Sequence, residues 1–151
     1  MTAIDAAMYA THLVFAGLWA GSVLFVTYAV LPTAMNGDAR PGPLSKVTGK
    51  LQTVSRASAL LLLLTGGHLA ATNYTVGSLT GSGRGHLVIA MVVLWFTLAA
   101  LVEVGTAKLS DGFDRQKVRE PAREARPFLL GASLVAVLLL VDAGAILGLY
   151  Y

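Results

Sequence analysis

Four long apolar stretches fill most of this 151-residue chain. Each exceeds the roughly 18 consecutive apolar residues that mark a membrane-spanning helix. Four such stretches cannot all hide inside a soluble domain this small. Charged residues make up 13% of the chain against 56% hydrophobic ones, where a soluble domain carries about 25% charged residues. There are too few charges to cover a water-facing surface. The expectation is an all-α integral membrane protein, a four-helix bundle forming one domain, with the lipid bilayer as its principal partner and a multi-pass place in the cell membrane.

Punctuation along the chain sets the spans at about 6–31, 46–72, 86–108 and 127–149. The first stops at Pro32, and the Pro- and Gly-rich segment 32–43 reads as a loop. A polar Gly/Ser/Thr linker covers 73–85, a charged loop covers 109–126, and Pro127 suits the first turn of the fourth helix. The first stretch has no basic residue before it and no evident cleavage site, so it reads as a retained helix, not a signal peptide.

Charge then orients the bundle. The first connection carries Arg40, Lys46 and Lys50, and the third carries Lys108, Arg115, Lys117, Arg119, Arg123 and Arg126. The second carries Arg84 alone. The positive-inside rule puts the first and third connections in the cytoplasm, giving an up-down-up-down bundle with both termini outside. The net charge of +3 is therefore a topology signal, and no nucleic-acid partner is implied. With no cysteine, disulfides, thiolate metal sites and iron–sulfur clusters are excluded.

The three histidines fall near one level under this topology. His12 lies early in the first span, His68 late in the second and His86 at the start of the third. Ionisable groups inside a membrane are costly and usually functional. Three imidazoles toward the outer face suit a transition metal or a haem iron; the alternative is that each is interfacial and bonded to a loop or head group. Met8 stands four residues before His12 on the same helix face, and a thioether beside imidazole suits Cu(I). Trp19 lies nearly on that face, with Gly17 and Gly21 allowing close approach of a helix, a metal or a flat macrocycle. Asp142 sits at about the depth of His12, where its carboxylate is placed to hold the second N–H of a liganding imidazole; a bond to a neighbouring Thr or Tyr, or a protonated acid, is the alternative. Arg56 and Glu103, toward the cytoplasmic side, read as a structural interhelical ion pair. Nothing in the chain has the pattern of a Ser/His/Asp triad or a phosphate loop, so an enzyme is not the expectation.

The motifs carry a resemblance. The first span has His12, Trp19-Ala20-Gly21 and a terminal Leu31-Pro32, and the second has Ser55-Arg56 and Leu64-Thr65-Gly66. These resemble the first two helices of the copper-resistance D (CopD) domain family, and Gly85-His86-Leu87 fits its third more loosely. The resemblance implies copper binding within the membrane or copper transport across it, with His12 carried over most directly. A unit this small would transport as a homo-oligomer. More distantly, the His, Trp and Gly of the first span and the His opening the third resemble the HemJ family of membrane protoporphyrinogen oxidases. That likeness implies haem b as the alternative cofactor, with electrons passing to a quinone or a redox partner protein. The third-span lysine of that family is missing between His86 and Ala107, which counts against its enzyme activity here. A non-catalytic membrane subunit with incidental histidines is the third reading.

Overall fold

The computed structural model describes residues 2–149, and the described residues are helical with no strand. The elements are α1 (Ala3–Phe25), a π segment (Val26–Val30), α2 (Leu31–Asn36), α3 (Pro41–Asn73), α4 (Val76–Gly81), α5 (Gly83–Asp114) and α6 (Arg119–Leu149). Four continuous rods result: Ala3–Asn36, Pro41–Asn73, Gly83–Asp114 and Arg119–Leu149, each long and apolar enough to cross a membrane. They have 31 to 34 residues, about 46–51 Å at 1.5 Å per residue. That is well beyond a hydrocarbon core of about 30 Å.

The extra length comes from segments whose sequence reads as loop. Pro32 does not end the first rod. Its missing N–H falls just after the π segment, where Leu31 N–H bonds Val26 O, and the helix resumes through α2. The rod ends at Asn36 because Gly37 takes φ +77° and caps it, with Asp38 N–H bonding Thr33 O. Pro41 and Pro43 lie within the first turn of α3, where no N–H is needed. Pro127 is likewise not in the first turn of its helix; it lies inside α6, which begins eight residues earlier. The first-turn proline there is Pro121. The 73–85 linker contains α4, which Thr75 and Ser78 cap reciprocally. At the chain start Thr2 and Asp5 form the same kind of box, so α1 begins at Ala3.

The described part of the bundle is apolar on its surface, and its largely apolar core admits several small polar side chains. Leu13, Val14, Phe25, Leu60, Leu64, Val93, Phe96, Leu134 and Val141 are exposed, while Thr27, Thr48, Ser55, Ser58, Thr65, Thr106, Ser133 and Asp142 are buried. A water-soluble fold buries its large apolar side chains and leaves no such coat; this distribution suits an apolar solvent. Within the core, Trp19, Val23, Leu98 and Val102 share one cluster with an α6 face of Ala122, Ala125, Leu129, Ala132 and Ala136. Small residues there let helices approach closely.

Neighbouring rods run in opposite sequence order. On α1 and α3, His12 meets Thr65 and Asp5 meets His68. On α3 and α5, Trp95 bonds Ala59 O and Arg56 meets Glu103. On α5 and α6, Gly112 lies against Pro121, Gly105 against Leu129 and Gly131 against Leu101. Thr27 Oγ1 donates to Leu129 O at 3.3 Å and closes the ring from the π segment back to α6.

The α5–α6 turn holds one unfavourable residue. Gln116 has φ +60°, the only described non-glycine residue with positive φ. Its neighbours form a glycine-type helix end, with Gln116 N–H bonding Phe113 O and Lys117 N–H bonding Gly112 O. A side chain in this left-handed region costs roughly 1 kcal/mol. Gln116→Gly is therefore expected to stabilise the protein slightly, by up to about 0.5 kcal/mol, after the entropy of the unfolded glycine is subtracted. Thermal melting of detergent-purified protein checks this, and a lowered midpoint would contradict it.

Candidate functional site around His12

His12 is half-buried between α1 and α3. Its Nδ1 lies 2.8 Å from Thr65 Oγ1. The direction of that bond follows from Thr65. The threonine hydroxyl has one proton and gives it to Leu61 O at 2.7 Å, one turn back on its own helix. Toward the imidazole it can only accept. In that arrangement His12 Nδ1 carries the proton and donates, and the Nε2 lone pair is the ring's remaining acceptor. Gly66 makes room for this arrangement, since a Cβ there would stand 3.1 Å from His12 Cε1. Met8, one turn before His12, is also half-buried.

The other two histidines have different partners. His68 Nε2 lies 3.3 Å from Asp5 Oδ1. Asp5 is in turn fixed by Thr2, whose backbone N–H donates to Asp5 Oδ2 at 2.8 Å. His86 is exposed, and its Nε2 donates to Thr80 O at 2.9 Å, tying α4 to the start of α5. So one imidazole is held by a hydroxyl, one by a carboxylate and one by a carbonyl. Among the described residues no group of three or more His, Cys, Asp or Glu side chains comes together to hold a metal. His12, His68 and His86, expected to share one site, each have a separate hydrogen-bond partner here. Equal depth along the rods fixes height, and the rotation of each helix then sends the rings to separate partners.

Asp142 does not hold the His12 N–H, because Thr65 occupies that role. Its side chain is 8% exposed, and Oδ2 has no hydrogen-bond partner among the described residues. Trp19 is fully buried in the core with Nε1 likewise unpartnered. Gly17 and Gly21 face outward, with no atom within 4 Å of a built Cβ, so they do not form a groove within this chain.

Arg56 and Glu103 meet in a two-point fork. Arg56 Nε donates to Glu103 Oε1 at 2.8 Å and Arg56 Nη2 to Oε2 at 2.9 Å. Gln52 Nε2 adds a third donor at 3.3 Å. This fork joins α3 to α5 with the strongest geometry an arginine–carboxylate pair has.

Three contributors lie outside the sequence argument: Thr65 as the partner of His12, Asp5 as the partner of His68, and Gln52 beside Glu103. Asp5 had a signal, the Thr2-x-x-Asp5 spacing of a capping box. Thr65 is itself part of the Leu64-Thr65-Gly66 motif, to which the sequence attached no chemistry. Compared with family models, curated proteins and solved structures, the chain matches none.

Proposed function

We propose that this is a multi-pass protein of the cell membrane that binds a copper ion through His12, in the manner implied by its resemblance to the CopD domain family. The observation that carries the reading is the Thr65 hydroxyl, which accepts from His12 Nδ1 and gives its own proton to Leu61 O. A metal-ligating imidazole needs its other nitrogen held in this way, because the hydrogen bond fixes the tautomer and the ring plane. Met8 offers a soft thioether one turn away, and imidazole with thioether is a donor set favouring Cu(I). His68 and His86, bonded elsewhere, serve the packing of the outer end in this reading.

The experiment is metal analysis and a visible spectrum of detergent-purified protein after growth with copper. Stoichiometric copper without a Soret band is the expected result. A Soret band would replace copper with haem b, for which a lone oriented imidazole is equally an axial ligand. Neither signal would leave a non-catalytic membrane subunit.

The proposed orientation is up-down-up-down with both termini outside, supported by the basic residues of the first and third connections. Cysteines at Gly77 and Gln116, both exposed, are expected to label from opposite sides of the membrane. An impermeant reagent applied to intact cells should reach Gly77→Cys and not Gln116→Cys; the reverse pattern would invert the bundle. Gly112 is unsuitable for this test because it is buried against Pro121.

A further inference from the structure

We infer that the α1–α3 seam holds a buried water molecule at midspan, bound between the Trp19 indole N–H and the Ser58 hydroxyl. Two observations on neighbouring helices carry the inference. Trp19 is 1% exposed and Ser58 0%. Trp19 Nε1 and Ser58 Oγ are both buried polar atoms with no hydrogen-bond partner among the described residues.

Register brings them to one level. His12 meets Thr65 across the seam. Moving seven residues deeper along each helix leads from His12 to Trp19 and from Thr65 to Ser58. Seven residues are about two turns, or about 10 Å, on both sides. Both side chains belong to the buried faces of their helices. Ser55, also buried, stands three residues before Ser58 on the same face.

The chemistry selects the ligand. Trp19 Nε1 can only donate, while Ser58 Oγ donates and accepts. A water between them accepts from the indole and exchanges one bond with the serine, leaving a second proton for Ser55 Oγ. That meets the two to four polar partners a buried water needs. Leaving both groups dry would strand two polar atoms in the bundle interior, each at the full cost of its lost hydration. Thr65, buried on the same helix, avoids this by bonding back to Leu61 O at 2.7 Å. Ser58 makes no such bond. The inference stands apart from copper binding at His12.

The protein carries its own reference, because Trp95, the second of its two tryptophans, donates directly to Ala59 O at 3.2 Å. The test is the pair of indole N–H signals in an NMR spectrum of ¹⁵N-labelled, detergent-solubilised protein, assigned with Trp95→Phe. The Trp19 indole proton is expected to show a cross-peak to water, and Ser58→Ala is expected to move the Trp19 signal while leaving that of Trp95 in place. A Trp19 signal that Ser58→Ala moves but that has no water cross-peak would mean a direct indole–serine bond and overturn the water. A Trp19 signal with no water cross-peak and no response to Ser58→Ala would overturn the site altogether.

Discussion

Gly112→Val should leave little protein able to survive purification in detergent. The connection from α5 to α6 has only four residues, Arg115 to Val118, so the two helices are forced together at that end. There the Pro121 ring occupies the space a Cβ on Gly112 would need. Contact relaxes along the seam: a Cβ on Gly105 would meet Leu129 at 3.0 Å, and one on Gly131 would meet Leu101 at 3.4 Å. Two effects oppose each other at Gly112. A better helix former than glycine gains roughly 0.5–1 kcal/mol. Overlap with a rigid ring on a short connection costs about 3 kcal/mol, and the clash wins. Pro121→Gly removes the obstructing Cβ and ring atoms together, so Gly112→Ala in a Pro121→Gly background should recover much of what Gly112→Ala alone loses. Melting midpoints of the four proteins measure this, and equal losses in both backgrounds would refute the steric account.

On the proposed copper reading, His12→Ala should abolish binding, because it removes the proposed ligand itself. Thr65→Val tests the geometry more sharply. Valine keeps the shape of threonine and removes the hydroxyl that receives the Nδ1 proton. Loss of such a supporting bond typically weakens metal affinity about 10–100-fold. Thr65→Ser, which keeps the hydroxyl, should stay near the parent. His86→Ala should also stay near it, since that ring is exposed and bonds only the Thr80 carbonyl. Competition titrations with a chelator of known affinity give all four values. Full affinity in Thr65→Val would remove the orienting role, and a His86→Ala loss as large as that of His12→Ala would return the site to several histidines.

The four rods were legible because an apolar stretch longer than about 18 residues has few other places to go. Arg56 and Glu103 were legible as a pair because unpaired charges in two such stretches are expensive. Helix ends were less so. Prolines at 41 and 43 look the same in a sequence whether they interrupt a helix or open one, and only the absence of competing N–H bonds in the first turn decides it. Depth along a rod could be counted for His12, His68 and His86, but rotation could not. A helix turns about 100° per residue, so an uncertainty of one residue in the packing face is enough to send an imidazole to a different neighbour. Thr65 was hidden for a related reason: a threonine in an apolar helix usually spends its hydroxyl on its own backbone. Here it does so and still has a lone pair to receive His12.

The π segment at Val26–Val30 gives the first rod an uneven tolerance to change in length. Its widened turn fits one residue more than an α-helix would use over the same rise, with Trp19 and Val23 buried before it and Leu31 and Ala34 buried after it. Losing one residue from these five would let the turn close to α geometry while both flanks kept their faces. The same loss elsewhere in the rod would swing one flank by about 100° against the other and pull either Trp19 or Leu31 from the core. Slippage in chain length is thereby confined to a short stretch, with the half carrying His12 on one side and the capped end at Gly37 on the other. The two halves of this rod can vary in sequence length relative to each other without the imidazole turning away from Thr65.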